Sequence, residues 1–224
     1  MIDAKRNAAR SAIAELPDAG TIGLGSGSTA RLFVEELAPL VRAGRRLIGV
    51  PTSEETRALA ARLGLPLLDD EGPWVIDVNV DGADEVSAAL DLIKGGGGAH
   101  AREKIVNYAA RRNVIIVDGT KLSGRLGEKH AVPVEVLPFA HKTTSSHLAR
   151  FGAARLRVRA EQMVRTDAGN LLYDLVVPPL DDPRALDRAL RAIPGVVETG
   201  LFLGRADVVL VAEGGAVRRL ERRA

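Results

Sequence analysis

The segment 81–104 constrains the fold of this chain most, because it places an acidic turn and a glycine-rich loop after an apolar run. Residues 74–80 form that apolar run and predict a buried strand. The turn Asp81-Gly82-Ala83-Asp84 follows at the carboxyl end of the strand, where open α/β sheets bind ligands. Four consecutive glycines, at 95–98, cost so much backbone entropy that packing alone does not explain them. The segment therefore predicts an α/β fold with a polar site at the edge of its sheet.

Helix-period and strand-like segments alternate through the first half of the chain. The periodicity predicts helices at 4–16, 28–42, 53–63 and 101–111, and short β-rich runs predict strands at 21–24, 46–50, 74–80 and 114–117. Ser53 is the predicted N-cap of the third helix. Strands that alternate with helices form βαβ units. The first half therefore predicts a Rossmann-like, mainly parallel sheet flanked by helices.

The pattern changes after about residue 127. The predicted order is strand 132–137, helix 141–151, strands 154–159 and 170–177, helix 183–193 and strand 196–203. This β-α-β-β-α-β order is that of a ferredoxin-like unit. A last strand at 206–212 is expected to rejoin the first sheet, and the basic tail 218–223 is expected to be a solvated helix end. We therefore predict a Rossmann-like catalytic domain, 1–127 plus 204–224, and a smaller inserted α+β domain, 128–203.

The composition excludes several classes of protein. Of the 224 residues, 46% are apolar and 27% charged, a balance typical of globular proteins, and no apolar run has the length of a membrane helix. The chain has no cysteine, which excludes disulfides and thiolate metal sites. The net charge is only +2 and aromatic residues make up 3%, so nucleic-acid binding is not expected. The first residues lack the apolar stretch of a signal peptide, and a cytoplasmic location is expected.

A glycine turn rich in hydroxyls, Gly25-Ser26-Gly27-Ser28-Thr29, directly follows the first predicted strand. Such a turn at the start of a helix offers free backbone N–H groups and the positive end of the helix dipole to a phosphate. The Gly-Lys-Ser/Thr of a Walker motif is missing. The dinucleotide fingerprint is also poor, because Ser28 stands at the third glycine and no acid follows the second strand at 50–52. These residues therefore predict a phosphate site.

The ionisable side chains of segment 81–104 predict proton-transfer chemistry. Asp81 and Asp84 lie close in sequence to a lysine, a combination that favours a site over a simple helix cap. Lys94 can neutralise the oxyanion that forms as a carbonyl becomes an enediolate. Glu103, in the first turns of the following helix, is a candidate general base. Together these groups suit proton movement on a phosphorylated sugar.

Two further lysines are candidate phosphate contacts: Lys121, which follows another predicted strand, and Lys5, on the first predicted helix. The four histidines show no metal-ligand spacing, so no metal is expected. His100 lies within the glycine-rich loop region and is expected to be exposed there.

The combination of motifs closely resembles ribose-5-phosphate isomerase of type A. The matching stretches are Gly-Ser-Gly-Ser-Thr-Ala at 25–30, Asp-Gly-Ala-Asp-Glu at 81–85, Lys-Gly-Gly-Gly-Gly at 94–98, Arg-Glu-Lys at 102–104 and Asp-Gly-Thr-Lys at 118–121. Further matches reach to Ile-Pro-Gly-Val-Val-Glu-Thr-Gly-Leu-Phe at 193–202, so the resemblance covers nearly the whole chain. Each motif alone is unspecific, whereas the combination is specific.

The resemblance implies interconversion of D-ribose 5-phosphate and D-ribulose 5-phosphate in the pentose phosphate pathway, with no cofactor and no metal. It implies that Glu103 is the proton-transferring base and that Asp81, Asp84 and Lys94 form the polar catalytic cluster. The implied substrate-binding residues are Ser26, Gly27, Ser28, Thr29, Asp81, Gly82, Ala83, Asp84, Lys94, Gly95, Gly96, Gly97, Lys121 and Lys5. The expected partner is a pentose phosphate, with neither nucleic acid nor membrane, and the chain is expected to form a homodimer or homotetramer.

Three other functions are weighed against this one. A sugar-phosphate-sensing domain would bind without catalysis, but it would have little use for Glu103 together with Lys94. A coenzyme A transferase-like enzyme would use a glutamate as nucleophile. A nicotinamide-dependent oxidoreductase is disfavoured by the missing third glycine and acid. The sequence leaves open which aspartate assists opening of the sugar ring.

Overall fold

The structure is a computed structural model that describes the backbone of residues 2–222 and the side chains of residues 4–222. Within this part of the chain the helices are α1 (Ile2–Ile13), α2 (Gly27–Arg42), α3 (Glu54–Arg62), α4 (His100–Ala109), α5 (His141–Leu148) and α6 (Pro183–Arg191). A 3-10 turn spans Gly119–Lys121. None of the described helices is long and apolar enough to cross a membrane.

The strands are short and numerous. They are β1 (Ala19–Leu24), β2 (Arg46–Pro51), β3 (Ile76–Asp81), β4 (Glu85–Val86), β5 (Leu92–Ile93), β6 (Ala110–Asp118), β7 (Val132–Val136), β8 (Ala153–Leu156), β9 (Val158–Arg159), β10 (Gln162–Met163), β11 (Leu171–Val176), β12 (Val196–Thr199), β13 (Leu201–Phe202), β14 (Val208–Glu213) and β15 (Ala216–Glu221).

The chain divides into two compact units. The first unit comprises Met1–Ala83, Arg102–Thr120 and Arg205–Ala224, and the second comprises Asp84–Ala101 and Lys121–Gly204. The predicted boundaries differ from these units, since 84–101, 121–127 and Gly204 group with the second unit. The reason is strand pairing: β4 pairs with β5, and β5 pairs with β13, all within the second unit. Residues 1, 223 and 224 of the predicted ranges lie outside the described residues.

The first unit is built on a six-stranded sheet of order β15-β14-β6-β3-β1-β2, parallel except for β15. Helices α1 and α2 cover one face through the apolar core around Ile22, Val80 and Ile116. Helix α4 covers the opposite face, where Val106 packs with Val50 and Ile76. The strand order reverses between β1 and β3, and ligands of such sheets bind at this point, beyond the carboxyl ends of the strands.

The second unit holds an antiparallel sheet of order β12-β7-β11-β8, with α5 and α6 packed on one face. Its chain order, β7-α5-β8-β11-α6-β12, is that of the predicted ferredoxin-like unit, with the small hairpin β9–β10 added. The core contains Val134, Leu148 and Leu175. The predicted fold class, a mainly parallel sheet flanked by helices with a smaller α+β region, is confirmed.

Three local predictions are wrong. The predicted strand 154–159 is two strands, of which Ala153–Leu156 pairs with β11 and Val158–Arg159 with β10. The predicted strand 196–203 is two strands, of which Val196–Thr199 pairs with β7 and Leu201–Phe202 with β5. The break falls at Gly200, where a Cβ atom would lie 2.2 Å from the carbonyl oxygen of Lys94, so only glycine allows this approach. The described part of the basic tail, 218–222, is mostly strand rather than helix end, because β15 pairs along the whole of β14. Its exposed arginines protect the sheet edge from further pairing.

Candidate active site

The carboxylate of Asp81 joins the ends of β1 and β3 in the first unit. Asp81 is fully buried, and its Oδ1 accepts the backbone N–H groups of Ser26 at 3.1 Å and Gly82 at 2.7 Å. A Cβ atom on Gly25 would lie 2.2 Å from the same oxygen. Glycine is therefore required at position 25, because any side chain there would collide with this carboxylate. Asp81 and Ser26, both predicted site residues, lie within hydrogen-bond distance of each other.

The N-terminus of α2 has the features of an anion-binding site. Ser26 stands at its N-cap with an extended backbone, and within the described chain its side chain makes no capping bond and the first turn holds no acid. The first N–H groups of a helix have no partner inside the helix, and they bind phosphates well. Gly27 and Ser28 are exposed, and Lys5 Nζ donates to Ser28 Oγ at 2.9 Å. The structure thus places Lys5 beside the predicted phosphate turn.

Hydroxyl groups after β2 and on α3 hold the glycine turn in place. Thr52 Oγ1 donates to the carbonyl of Leu24 at 3.1 Å and shares a 2.6 Å hydrogen bond with Ser26 Oγ. Thr56 Oγ1 donates to the carbonyl of Gly25 at 3.0 Å. Ser53 caps α3 as predicted, through its bond from Thr56 N. Neither Thr52 nor Thr56 was predicted from the sequence as part of the site. The signal was a run of hydroxyls at the carboxyl end of β2, which neighbours β1.

Glu103 lies on the buried face of α4 and is only 5% exposed. The side chains at i, i+3 and i+4 share one helix face, and Val106 and Asn107, the corresponding neighbours, are buried too. A Cβ on Gly23 would lie 2.7 Å from Val106, so this face lies against β1. Helix α4 runs directly into the amino end of β6. Glu103 lies seven residues before Ala110, roughly 10 Å back along the helix. It therefore lies toward the carboxyl ends of the parallel strands.

A chain of amides fixes α4 on the sheet. Asn79 Nδ2 on β3 donates to Asn113 Oδ1 on β6 at 3.0 Å, and Asn113 Nδ2 donates to the carbonyl of Asn107 on α4 at 3.1 Å. Arg205 Nε donates to Asn107 Oδ1 at 3.1 Å. Buried polar networks of this kind rigidify the elements they join. The orientation of the helix that carries Glu103 is therefore specified by residues that the sequence analysis did not identify.

The second unit holds Asp84 and the glycine segment. Asp84 Oδ2 accepts the N–H of Gly96 at 2.7 Å, and the N–H of Gly98 donates to the carbonyl of Gly95 at 3.0 Å. A Cβ atom on Gly96 would lie 2.7 Å from Asp84 Oδ1, and Gly95 has φ +110°, a conformation that favours glycine. The glycines therefore form a tight turn around the carboxylate of Asp84.

Lys94 comes directly after β5 and is buried, with only 3% exposed. Its backbone N–H donates to the carbonyl of Gly200 at 2.9 Å. Its Nζ lies 5.5 Å from the ring centroid of Phe202, within reach of a cation–π interaction. Gly200 therefore holds the backbone of Lys94, and Phe202 on β13 lies beside its ammonium group. The sequence did not connect either residue with Lys94.

The remaining predicted residues are placed as follows. In the first unit Gly82, Ala83 and Thr29 are partly exposed; in the second unit Gly97 is exposed and Lys121, at the end of the 3-10 turn, is partly buried. Within the described residues no group of three or more histidine, cysteine, aspartate or glutamate side chains is placed to hold a metal ion.

The prediction of an exposed His100 is wrong. His100 is fully buried at the start of α4, with its Nε2 3.3 Å from the carbonyl oxygen of Glu198. The glycine turn accounts for this burial, because a Cβ atom on Gly95 would lie 2.8 Å from His100 Nδ1. The turn thus folds back over the imidazole instead of leaving it in solvent.

Comparison with known proteins agrees with this geometry. Residues 48–215 match the family model of ribose 5-phosphate isomerase A (phosphoriboisomerase A). Ribose-5-phosphate isomerase A of Korarchaeum cryptofilum is 43% identical over 222 residues, which cover 97% of each chain.

Solved structures are similar over the same extent. Ribose 5-phosphate isomerase A of Methanocaldococcus jannaschii superposes with a TM-score of 0.93 at 40% identity, covering 98% of each chain. A D-ribose-5-phosphate isomerase in complex with phospho-erythronic acid gives the same TM-score of 0.93, identity of 40% and coverage of 98% of each chain. This chain therefore belongs to the ribose 5-phosphate isomerase A family.

Proposed function

We propose that this chain interconverts D-ribose 5-phosphate and D-ribulose 5-phosphate through an enediolate, as an aldose–ketose isomerase of the non-oxidative pentose phosphate pathway. One observation carries the proposal: the uncapped start of α2, beside Lys5, adjoins the buried carboxylate of Asp81. A phosphate site next to a carboxylate is what a small phosphorylated sugar requires. The similar enzyme in complex with phospho-erythronic acid supports it further, because that molecule joins a phosphate to a planar, two-oxygen anion like that of an enediolate.

The phosphate of the substrate binds to the turn Ser26, Gly27, Ser28 and Thr29. Backbone N–H groups at the start of α2 donate to its oxygens, and the helix dipole favours its charge. Lys5 adds a positive charge beside Ser28, and Lys121 contributes a second one. Binding through the phosphate holds the sugar carbons in place for proton transfer, which lowers the entropic barrier of the reaction.

Glu103 is the base that moves the proton between carbons. In the open aldehyde form it removes the proton from C2, which generates an enediolate, and it returns the same proton to C1 to give the ketose. The oxygen on C1 gains a proton and the oxygen on C2 loses one, so the reaction is balanced without a redox partner. A general base in this role contributes typically 10²–10⁴-fold to the rate.

Lys94 and the acidic pair complete the chemistry. The ammonium of Lys94, with nearby N–H groups of Gly95 and Gly97, stabilises the negative charge on the enediolate oxygens, while the N–H of Gly96 holds Asp84. Asp81 or Asp84 assists opening of the furanose ring by moving a hydroxyl proton, and Gly82 and Ala83 contribute to binding of the substrate. No cofactor and no metal takes part in this scheme.

The test is a spectroscopic assay of ribose 5-phosphate isomerisation with the chelator EDTA present. We expect activity in the chelator, and a fall of about 10²–10⁴-fold in kcat for Glu103→Gln with little change in KM. Glu161→Gln, at an exposed turn of the second unit, is the matched control and should turn over normally. Isomerisation by Glu103→Gln at the rate of the unsubstituted chain would refute the role of this residue.

We also propose that the protein acts in the cytoplasm as a homodimer or homotetramer. The support is the family resemblance and the metabolic reaction it implies. Sedimentation velocity at micromolar concentration should show two or four chains per particle, and a monomer with full activity would contradict this part of the proposal.

A further inference from the structure

The glycine turn of the second unit is held by a pair of charged residues more than sixty positions away in sequence. Arg157 lies between β8 and β9, and its Nη1 donates to the carbonyl of Gly95 at 2.8 Å and to that of Gly96 at 3.2 Å. Its Nε donates to Asp174 Oδ2 on β11 at 2.9 Å, and Nη2 donates to the other oxygen of Asp174. This is the bidentate pairing that fixes a guanidinium most firmly.

The peptide group between Gly95 and Gly96 is therefore fixed at both of its polar atoms. Its carbonyl oxygen accepts from Arg157 and, within the turn, from the N–H of Gly98, and its N–H donates to Asp84 Oδ2 at 2.7 Å. The carbonyl and the N–H of one peptide point in opposite directions because the group is planar and trans. Rotation of this peptide would break the bond to Arg157 and the bond to Asp84 at once. By holding the carbonyl, Arg157 therefore fixes the orientation of the N–H that binds Asp84.

Sheet register explains how Arg157 reaches this position. Asp174 on β11 lies opposite Arg155 on β8, and residues two apart on a strand share a face. Their face is the one away from α5 and α6, since Tyr173 and Leu175 point into the core. Arg157, two residues after Arg155, lies on the same face just beyond the end of β8, and its side chain is only 14% exposed. The four side chains Asp84, Arg155, Arg157 and Asp174 line a cavity of about 360 Å³ on this face.

We propose that Arg157, oriented by Asp174, is a positioning residue for the isomerase: it fixes the Gly95–Gly96 peptide and through it the carboxylate of Asp84. This inference rests on the proposed function, in which Asp84 takes part. Arg157 itself does not touch the reacting atoms. A misplacement of about 1 Å in a reacting group is enough to lower a rate roughly 100-fold, so loss of the guanidinium should be seen in turnover.

The experiment compares Arg157→Ala, Arg157→Lys and Asp174→Asn in the isomerase assay. We expect kcat to fall about 10–100-fold in Arg157→Ala and less in the other two, because each keeps part of the contacts. KM should change less than about threefold, since the phosphate contacts lie elsewhere. Arg155→Ala is the matched control: it removes the same charge from the same cavity and should keep kcat. If Arg155→Ala and Arg157→Ala are equally impaired, the effect is one of charge alone and the inference fails.

A double variant separates positioning from loss of structure. If Arg157 acts through Asp84, adding Arg157→Ala to Asp84→Asn should lower kcat less than about threefold further, because groups that act as one unit are not additive. A full multiplicative loss in the double variant would show that Arg157 acts independently or only stabilises the fold. Arg157→Lys keeps the test valid if Arg157→Ala does not fold.

The two proposals fail in different ways. No isomerisation by the unsubstituted chain would refute the proposed function, and normal turnover by Asp84→Asn would remove Asp84 from it. An impaired Asp84→Asn beside a fully active Arg157→Ala would refute only the inference about Arg157.

Discussion

Asp81 and Asp84 are three residues apart in sequence, yet they belong to different units and are held by different means. Asp81 is fully buried and accepts N–H groups from its own turn and from the neighbouring strand end. Asp84 is partly exposed and is held by a glycine turn that Arg157 fixes from across the second unit. The first carboxylate is thus part of a packed sheet, whereas the second depends on one peptide group. Substitutions in the turn that holds Asp81 should therefore affect stability, and those in the glycine turn that holds Asp84 should affect turnover.

The largest effect is expected for Gly25→Ala in the first unit. The new Cβ would lie 2.2 Å from Asp81 Oδ1 and 2.6 Å from the Cα atom of Asp81, so the backbone must move. Overpacking of this kind costs about 1–3 kcal/mol, and we expect a loss near the upper end in urea unfolding, with isomerisation reduced as well. A variant of unchanged stability would show that this turn is no more rigid than the glycine turn around Asp84.

The next effect concerns the residue that directly follows Asp84. Glu85 is fully buried, and its carboxylate accepts four backbone N–H groups, those of Gly127, Glu128, Lys129 and His130. In Glu85→Gln an amide NH₂ would replace one accepting oxygen and face N–H donors, which should lower the free energy of unfolding by about 2 kcal/mol. Urea unfolding measures this.

The control for that loss is Glu161→Gln, at an exposed turn of the same unit. Its free energy of unfolding should change by less than about 0.5 kcal/mol. If both variants lose the same free energy of unfolding, the four hydrogen bonds to the buried carboxylate of Glu85 do not stabilise the second unit.

A smaller and purely kinetic effect is expected from Gly96→Ala. Its Cβ would lie 2.7 Å from Asp84 Oδ1, the mobile end of a side chain, so the carboxylate can turn away at little cost in stability. We expect kcat to fall about 10-fold while the unfolding midpoint stays nearly constant. Gly215→Ala, in the turn between β14 and β15, is the control, because among described atoms a Cβ there would meet nothing within 4 Å. A fall in stability without a fall in kcat would reverse the contrast between the two aspartates.

The smallest effect is a pH-dependent one in the first unit. Partial burial raises the pKa of Glu36, but hydrogen bonds and charge attraction from Arg10 and Arg6 outweigh it, so its pKa lies below the ordinary 4.5. A lowered pKa stabilises the folded state above the unfolded value and ceases to do so as the pH falls through the folded value. Glu36→Gln should therefore lose about 0.5 kcal/mol at pH 7, and the loss should become smaller as the pH falls from 4.5 to 3. A loss that is constant between these pH values would exclude the ion pairs as its cause.

Some of the site could be predicted because its parts are local. The turn after β1 and the acidic turn after β3 each follow a buried strand, and the carboxyl ends of parallel strands lie at one edge of a sheet. Ser53 caps α3 as expected, since a cap bonds to a residue three positions on. His100 was not predictable in this way, because its burial depends on a glycine turn whose shape no neighbouring residue specifies.

The sequence by itself determined the alternation of strands and helices, the phosphate turn and the family motifs. These follow from periodicity and from backbone chemistry over a few residues, which neighbours along the chain suffice to specify. Only the tertiary structure decided that Arg157 holds Gly95, that Gly200 touches Lys94 and that three asparagines join α4 to the sheet. These contacts join positions up to about a hundred residues apart. Strand register and packing determine which residues meet in these contacts, and neither can be predicted from a few neighbouring residues.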